Sequence, residues 1–153
     1  MDAVRTPDER FESLSGWGFE PRYLTLKNGL RLHYIDEGPE DGEVYLCLHG
    51  EPSWSYLYRK MTPVFVEAGK RVVAFDWLGF GRSDKPTDDA IYTFSFHHDT
   101  MLEVIDALGL EKVVLVCQDW GGLLGLTLPV DRPALVTKLL IMNTALATGV
   151  HPG

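Results

Sequence analysis

Four short runs constrain this chain more than anything else in it: VYLCL at 44–48, RVVAF at 71–75, VVLVC at 113–117 and TKLLIM at 137–142. Each is apolar at almost every position. A strand with one wet face alternates apolar and polar residues, whereas these runs need cover on both faces, the condition of a parallel sheet between two layers of helix. The intervening segments carry helical spacing. One helix is expected over 56–68, a second over 96–108 with Ser95 as its cap and Met101, Leu102, Ile105 and Leu108 on one face, and a third over 120–130. Strand and helix therefore alternate, which predicts an α/β architecture.

The segment before the first of these runs differs. In RYLTLKNGLRLHYIDEG two strand-like stretches flank Asn28-Gly29, a dipeptide suited to a tight type I′ turn, so an antiparallel hairpin opens the fold. No repeat, low-complexity tract or charge block divides the chain, and residues 1–153 read as one unit. With 45% hydrophobic residues that unit has the means to bury a core. The net charge of -8 disfavours nucleic acid and anionic membrane surfaces as partners, because no excess of Lys or Arg is available to neutralise phosphate. The opening residues MDAVRTPDERFESL are charged where a secretory segment needs an apolar stretch, and no later run spans a bilayer, so a cytoplasmic location is expected. Cys47 and Cys117 sit in apolar runs, where a reduced thiol packs as a small hydrophobe, and neither has the His or Cys neighbours of a metal site.

Chemistry concentrates at VVLVCQDWGGLLGL, in which an apolar strand meets Asp119, then Trp120-Gly121-Gly122, then an apolar helix. Strand, sharp turn and helix form a nucleophile elbow when a small residue follows two places after the nucleophile, and Gly121 satisfies that need. Cys117, two places before, is small but is not the usual Gly. Taken by itself, Asp119 also reads as an ordinary helix cap, its charge complementing the helix dipole. Upstream, His49-Gly50-Glu51-Pro52 follows directly on VYLCL. A turn there can aim backbone N–H groups at the elbow, and the amides of Glu51 and Trp120 are the candidate oxyanion donors. Alternatively it is a plain turn with His49 as a packed polar residue.

HGEPSWSYLYRKM, DWLGFGRSDKP and QDWGG, in this order, resemble the haloalkane dehalogenases of the α/β-hydrolase fold, and the resemblance runs from RTPDERF to IMNTAL. It implies a mostly parallel eight-stranded sheet, a helical cap inserted after the sixth strand, and a nucleophile, histidine and acid acting together. In similar folds the bond corresponding to Glu51–Pro52 is cis. The resemblance makes Asp119 the nucleophile, Trp120 a halide-binding group and Leu123, where relatives often carry Phe, part of the substrate pocket wall. Glu51 marks the subgroup that takes its second halide-binding Trp from the cap. A small haloalkane, water and halide are the implied partners of a monomeric enzyme that needs no cofactor. A carboxylate suits this chemistry. A serine oxygen displacing halide from an sp³ carbon gives an ether, which resists water, whereas a carboxylate gives an ester that water can cleave. The Trp120 indole N–H offers the departing halide a donor with no competing acceptor.

Other readings are weighed beside this one. An epoxide hydrolase also uses an elbow Asp, but relatives of that kind usually carry an aromatic residue at the Glu51 position; a non-catalytic binding protein on the same scaffold is the third possibility. Gly79-Phe80-Gly81 lacks the spaced third glycine of a nucleotide loop and reads as a sharp turn. The five histidines include none placed as the family places its base: His33 lies in the hairpin, His49 in the loop after VYLCL, His97 and His98 at a helix start on the surface, and His151 in the tail. The run at 136–142 suits a central strand better than an edge. From this the chain is expected to be the N-terminal half of a longer enzyme, lacking the cap, the acid and the base, and therefore alkylated once without turnover.

Overall fold

The computed structural model describes residues 1–146. Its strands are β1 (Ala3–Val4), β2 (Arg22–Thr25), β3 (Arg31–Glu37), β4 (Val44–Leu48), β5 (Arg71–Phe75), β6 (Lys85–Pro86), β7 (Val113–Gln118) and β8 (Val136–Met142), and its α-helices are α1 (Met61–Glu67), α2 (Phe94–Ala107), α3 (Trp120–Gly125) and α4 (Leu128–Asp131). Six strands form one sheet in the order β2-β3-β5-β4-β7-β8, while β1 and β6 pair as a separate short ribbon. The hairpin β2–β3 joins β5 antiparallel, and β5, β4, β7 and β8 run parallel.

Side chains on a strand alternate between the two faces, and the core follows that period. Leu46 and Leu48 of β4, Val73 and Phe75 of β5, and Val113, Leu115 and Cys117 of β7 share one cluster with Met101, Val104 and Ile105 of α2 and Leu124 of α3. Cys47, Val72, Ala74, Val114 and Val116 point the other way, onto Tyr58, Met61, Phe65 and Val66. Both faces of the central strands are thus buried, which is why their sequences are unbroken apolar runs. Both cysteines are free and buried, and burial pushes the Cys117 thiol up to about 11.

The structure departs from the expected elements in several places. Gly29 takes φ 84° but Asn28 stays outside the positive-φ region, so the hairpin does not close with a type I′ turn, which needs positive φ at both positions. Instead the Gly29 amide bonds the Leu26 carbonyl and the Leu30 amide is held by Asn28 Oδ1. The cap of α2 is Thr93, not Ser95: Thr93 Oγ1 accepts from the Phe96 amide at 3.1 Å. A short 3-10 turn at Asp89–Ile91 brings the chain into position for the helix two residues early. The first expected helix is divided, Ser55–Lys60 being a 3-10 helix that runs into α1. The third is divided as well: Pro129 has no N–H to continue α3 and stands instead in the first turn of α4. Apart from these differences, β8 is the outermost strand among the described residues, with Leu139 48% and Ile141 49% exposed. Among those residues no helix is long and apolar enough to cross a membrane.

Candidate active site

The C-terminal ends of β4, β5 and β7 converge, and each is followed by a residue of the site: His49, Asp76 and Asp119. In an open parallel sheet this edge is where ligands bind, since the loops leaving it are free of the sheet's own hydrogen bonds. Asp119 occupies φ 52°, ψ -126°, a conformation that costs a side-chain-bearing residue about 1–3 kcal/mol and persists only where its surroundings dictate it. They do so from both sides. The Asp119 amide bonds the Asn143 carbonyl at 3.2 Å, and Thr144 Oγ1 donates to the Asp119 carbonyl at 2.7 Å. A Cβ on Gly121 would collide with the Leu48 carbonyl, so only glycine lets α3 pack this close beneath the elbow.

The strained turn decides what the carboxylate does. Asp119 makes no side-chain cap on α3. Its Oδ1 accepts from the Glu51 amide at 2.9 Å, across 68 positions of sequence. The ordinary helix-cap reading is therefore not the one this geometry adopts. Gly50 is equally constrained, because a side chain there would occupy the space of the Asp119 carboxyl. The Glu51–Pro52 peptide is cis. Trp120 opens α3, so its own amide is one of the helix-start donors without an intrahelical partner.

Two hollows adjoin the elbow. One, of about 260 Å³, is lined by Asp119, Leu123, Asn143, Thr144 and Ala145. The other, about 230 Å³ on the α2 side, is walled by Trp77, Phe80, Tyr92, Phe94, His97 and Trp120, with Gly50 and Glu51 at its border. Of the residues expected from sequence, Asp119 and Leu123 share the first hollow, whereas the Trp120 ring lines the second and is 44% exposed. The Glu51 amide joins them by its bond to Asp119.

A fully buried polar frame holds this edge, and the sequence reading did not single it out. Asp76 Oδ1 accepts from the Ser55 amide at 2.8 Å, and Oδ2 from His33 Nδ1 at 2.8 Å and the Arg82 amide at 2.9 Å. Burial alone would raise the Asp76 pKa; hydrogen bonds and charge from His33, with His49 and Ser55, outweigh it and hold the carboxyl below the usual range. The available signal was an Asp directly after VVAF, where a buried strand delivers a charge into the interior. His49 is wholly buried, and burial pushes its ring below the ordinary histidine range against the opposing pull of Asp76. His97 and His98 are not the surface pair expected. The His97 ring packs against Trp77, Tyr92 and Phe96 and its pKa is depressed by burial and by His49, while His98 Nε2 bonds Asp131 at 2.8 Å, which raises its pKa. His151 lies outside the described residues. Among the described residues no histidine ring bonds Asp119, and no cluster of three or more His, Cys, Asp or Glu side chains is arranged to hold a metal.

Comparison with known proteins adds to this geometry. The model of the alpha/beta hydrolase fold family matches residues 44–152. A haloalkane dehalogenase of Psychrobacter cryohalolentis is 49% identical over 99% of this chain and 51% of its own length. Among solved structures, a haloalkane dehalogenase of Paraglaciecola agarilytica NO2, described as tetrameric, superposes with a TM-score of 0.92 at 54% identity, covering 95% of this chain and 50% of that one. An epoxide hydrolase of Vigna radiata gives 0.73 at 32% identity over 80% of this chain and 39% of that one. The chain spans about half the length of the curated relatives it matches.

Proposed function

The chain belongs to the α/β-hydrolase fold family, and on that premise we propose that it carries the nucleophile of a haloalkane dehalogenase, with Asp119 displacing halide from an alkyl carbon. The observation that carries this reading is the Asp119 carboxylate itself, presented by a left-handed elbow, free of its own helix and aligned by the Glu51 amide. An Asp119 oxygen attacks the carbon bearing the halogen; the carbon–oxygen bond forms as the carbon–halogen bond breaks, and halide leaves with the electron pair. The product is an alkyl ester of Asp119. The amides of Glu51 and Trp120 serve as the donors for the oxyanion that forms when water later adds to the ester carbonyl. The Trp120 indole N–H serves the departing halide, and Leu123 walls the hollow that receives the alkyl group.

Ester cleavage needs a base to take a proton from water, and none of the imidazoles of the described residues is bonded at the elbow. The ester is therefore expected to accumulate on these residues. The similarity to an epoxide hydrolase gives the rival reading its weight, since an epoxide opened by the same carboxylate also yields an ester. Exposure of the chain to a short 1-bromoalkane and, separately, to a terminal epoxide distinguishes them. One alkyl group and one bromide per chain are expected from the bromoalkane; modification by the epoxide alone would transfer the assignment to the rival.

A further inference from the structure

We propose that His49 and Ser53 are positioning residues that aim the Glu51 amide at Asp119 by clamping the other end of the same peptide group, the Gly50 carbonyl. Three donors converge on that oxygen: His49 Nδ1 at 2.9 Å, the Ser53 amide at 3.1 Å and Ser53 Oγ at 3.0 Å. The Gly50–Glu51 peptide is trans, the cis bond lying one residue on. In a planar trans peptide the carbonyl and the N–H point in opposite directions, so fixing one fixes the other. Here the opposite direction is that of Asp119 Oδ1, 2.9 Å from the Glu51 nitrogen.

The tautomer of His49 follows from its second bond. Its Nε2 accepts the Trp77 amide at 3.1 Å, which requires a lone pair there and puts the ring proton on Nδ1, where it donates to Gly50. Trp77 Nε1 also donates to the His49 carbonyl at 2.8 Å, so ring and backbone of His49 are both tied to the residue after Asp76. Donors on a carbonyl polarise its peptide and strengthen the N–H opposite, by about 10–30% per bond. The clamp thus both directs and sharpens the donor that faces the carboxylate. Its value to catalysis rests on the displacement reading above; its geometry does not.

The test uses His49→Ala, His49→Asn and Ser53→Ala in the full chain, with two readouts: the NMR position of the Glu51 amide proton, which lies downfield when bonded to a carboxylate, and the rate of single alkylation by a bromoalkane. His49→Ala is expected to move the Glu51 amide upfield and slow alkylation about tenfold or more, because the carboxylate is no longer held in one orientation for attack. His49→Asn restores both in large part, because its side-chain amide reaches where Nδ1 stood; a merely structural histidine would not be rescued this way. Ser53→Ala shifts the amide in the same direction by less. A folded His49→Ala chain with an unmoved Glu51 amide overturns the proposal, as does an Asn variant no nearer wild type than Ala. If His49→Ala fails to fold, an unmoved Glu51 amide in Ser53→Ala overturns it instead. Absence of any adduct on the wild-type chain would refute the dehalogenase reading while leaving the amide measurement to judge the clamp.

Discussion

The loop at 49–55 and the strand β8 invert the usual association of regular structure with a buried, fixed environment. The loop has no repeating backbone pattern over its first residues, yet its polar groups are assigned partner by partner: His49 to Gly50 and Trp77, Ser53 to Gly50, Glu51 to Asp119, Ser55 to Asp76. β8 is a regular seven-residue strand paired along β7, yet five of its residues are exposed, apolar Leu139, Leu140 and Ile141 among them. Order at the site therefore comes from side chains bonding backbone, and the sheet supplies the platform.

The largest effect is expected at Asp76, which is fully buried and accepts bonds from two loops and one ring. Asp76→Ala leaves those donors unpaired and should cost about 3–5 kcal/mol, the scale for breaking a buried charged pair, measured as a fall in the urea midpoint. A loss below 1 kcal/mol would mean that the frame does not hold the loop. Next comes Gly121→Ala, whose new methyl group meets the Leu48 carbonyl; overpacking of this kind costs about 1–3 kcal/mol, and unaltered stability would show that α3 can move away from β4 freely.

Acid should loosen the loop more than the strand. The His49 and His97 rings are held below the ordinary 6.5 by burial, so the unfolded chain takes up protons that the folded chain refuses, and stability present above pH 6.5 is lost as pH falls below it. Asp76 opposes the effect at His49, and His97 and Trp77 also face that ring. His98, raised by Asp131, has the reverse sign: its contribution is present below 6.5 and fades as pH rises through the folded value. It is a partly exposed pair and the weaker of the two influences. The urea midpoint is expected to be lower at pH 5.5 than at pH 7.5; a higher midpoint would reverse the ranking. The smallest effect is expected at the edge, where Leu140→Thr in this chain should stay within about 0.5 kcal/mol, because Leu140 is already 39% exposed.

The platform was legible in the sequence because unbroken apolar runs have only one stable setting, between two layers of helix. The elbow was legible because Gly121 is demanded by a backbone collision rather than by preference. Details governed by how the chain arrives at an element were not. Thr93 and Ser95 are equally able caps, and only the turn before Thr93 decides between them. Asn28 can adopt positive φ but instead uses its side chain to hold the Leu30 amide. Asp119 and Trp120 are neighbours in sequence, and the sequence does not show that their side chains border two different hollows on either side of the elbow. Asp76 itself carried a sequence signal but its partners did not, since they come from β3, the loop at 49–55 and the loop after β5, segments that only the fold brings together.

The most direct test of Asp119 as nucleophile is to localise the adduct. Chain treated with a 1-bromoalkane, digested and sequenced by tandem mass spectrometry should carry one alkyl group on Asp119, and Asp119→Asn should carry none. An alkyl group found elsewhere on the wild-type chain, or an adduct that survives in Asp119→Asn, would contradict the account.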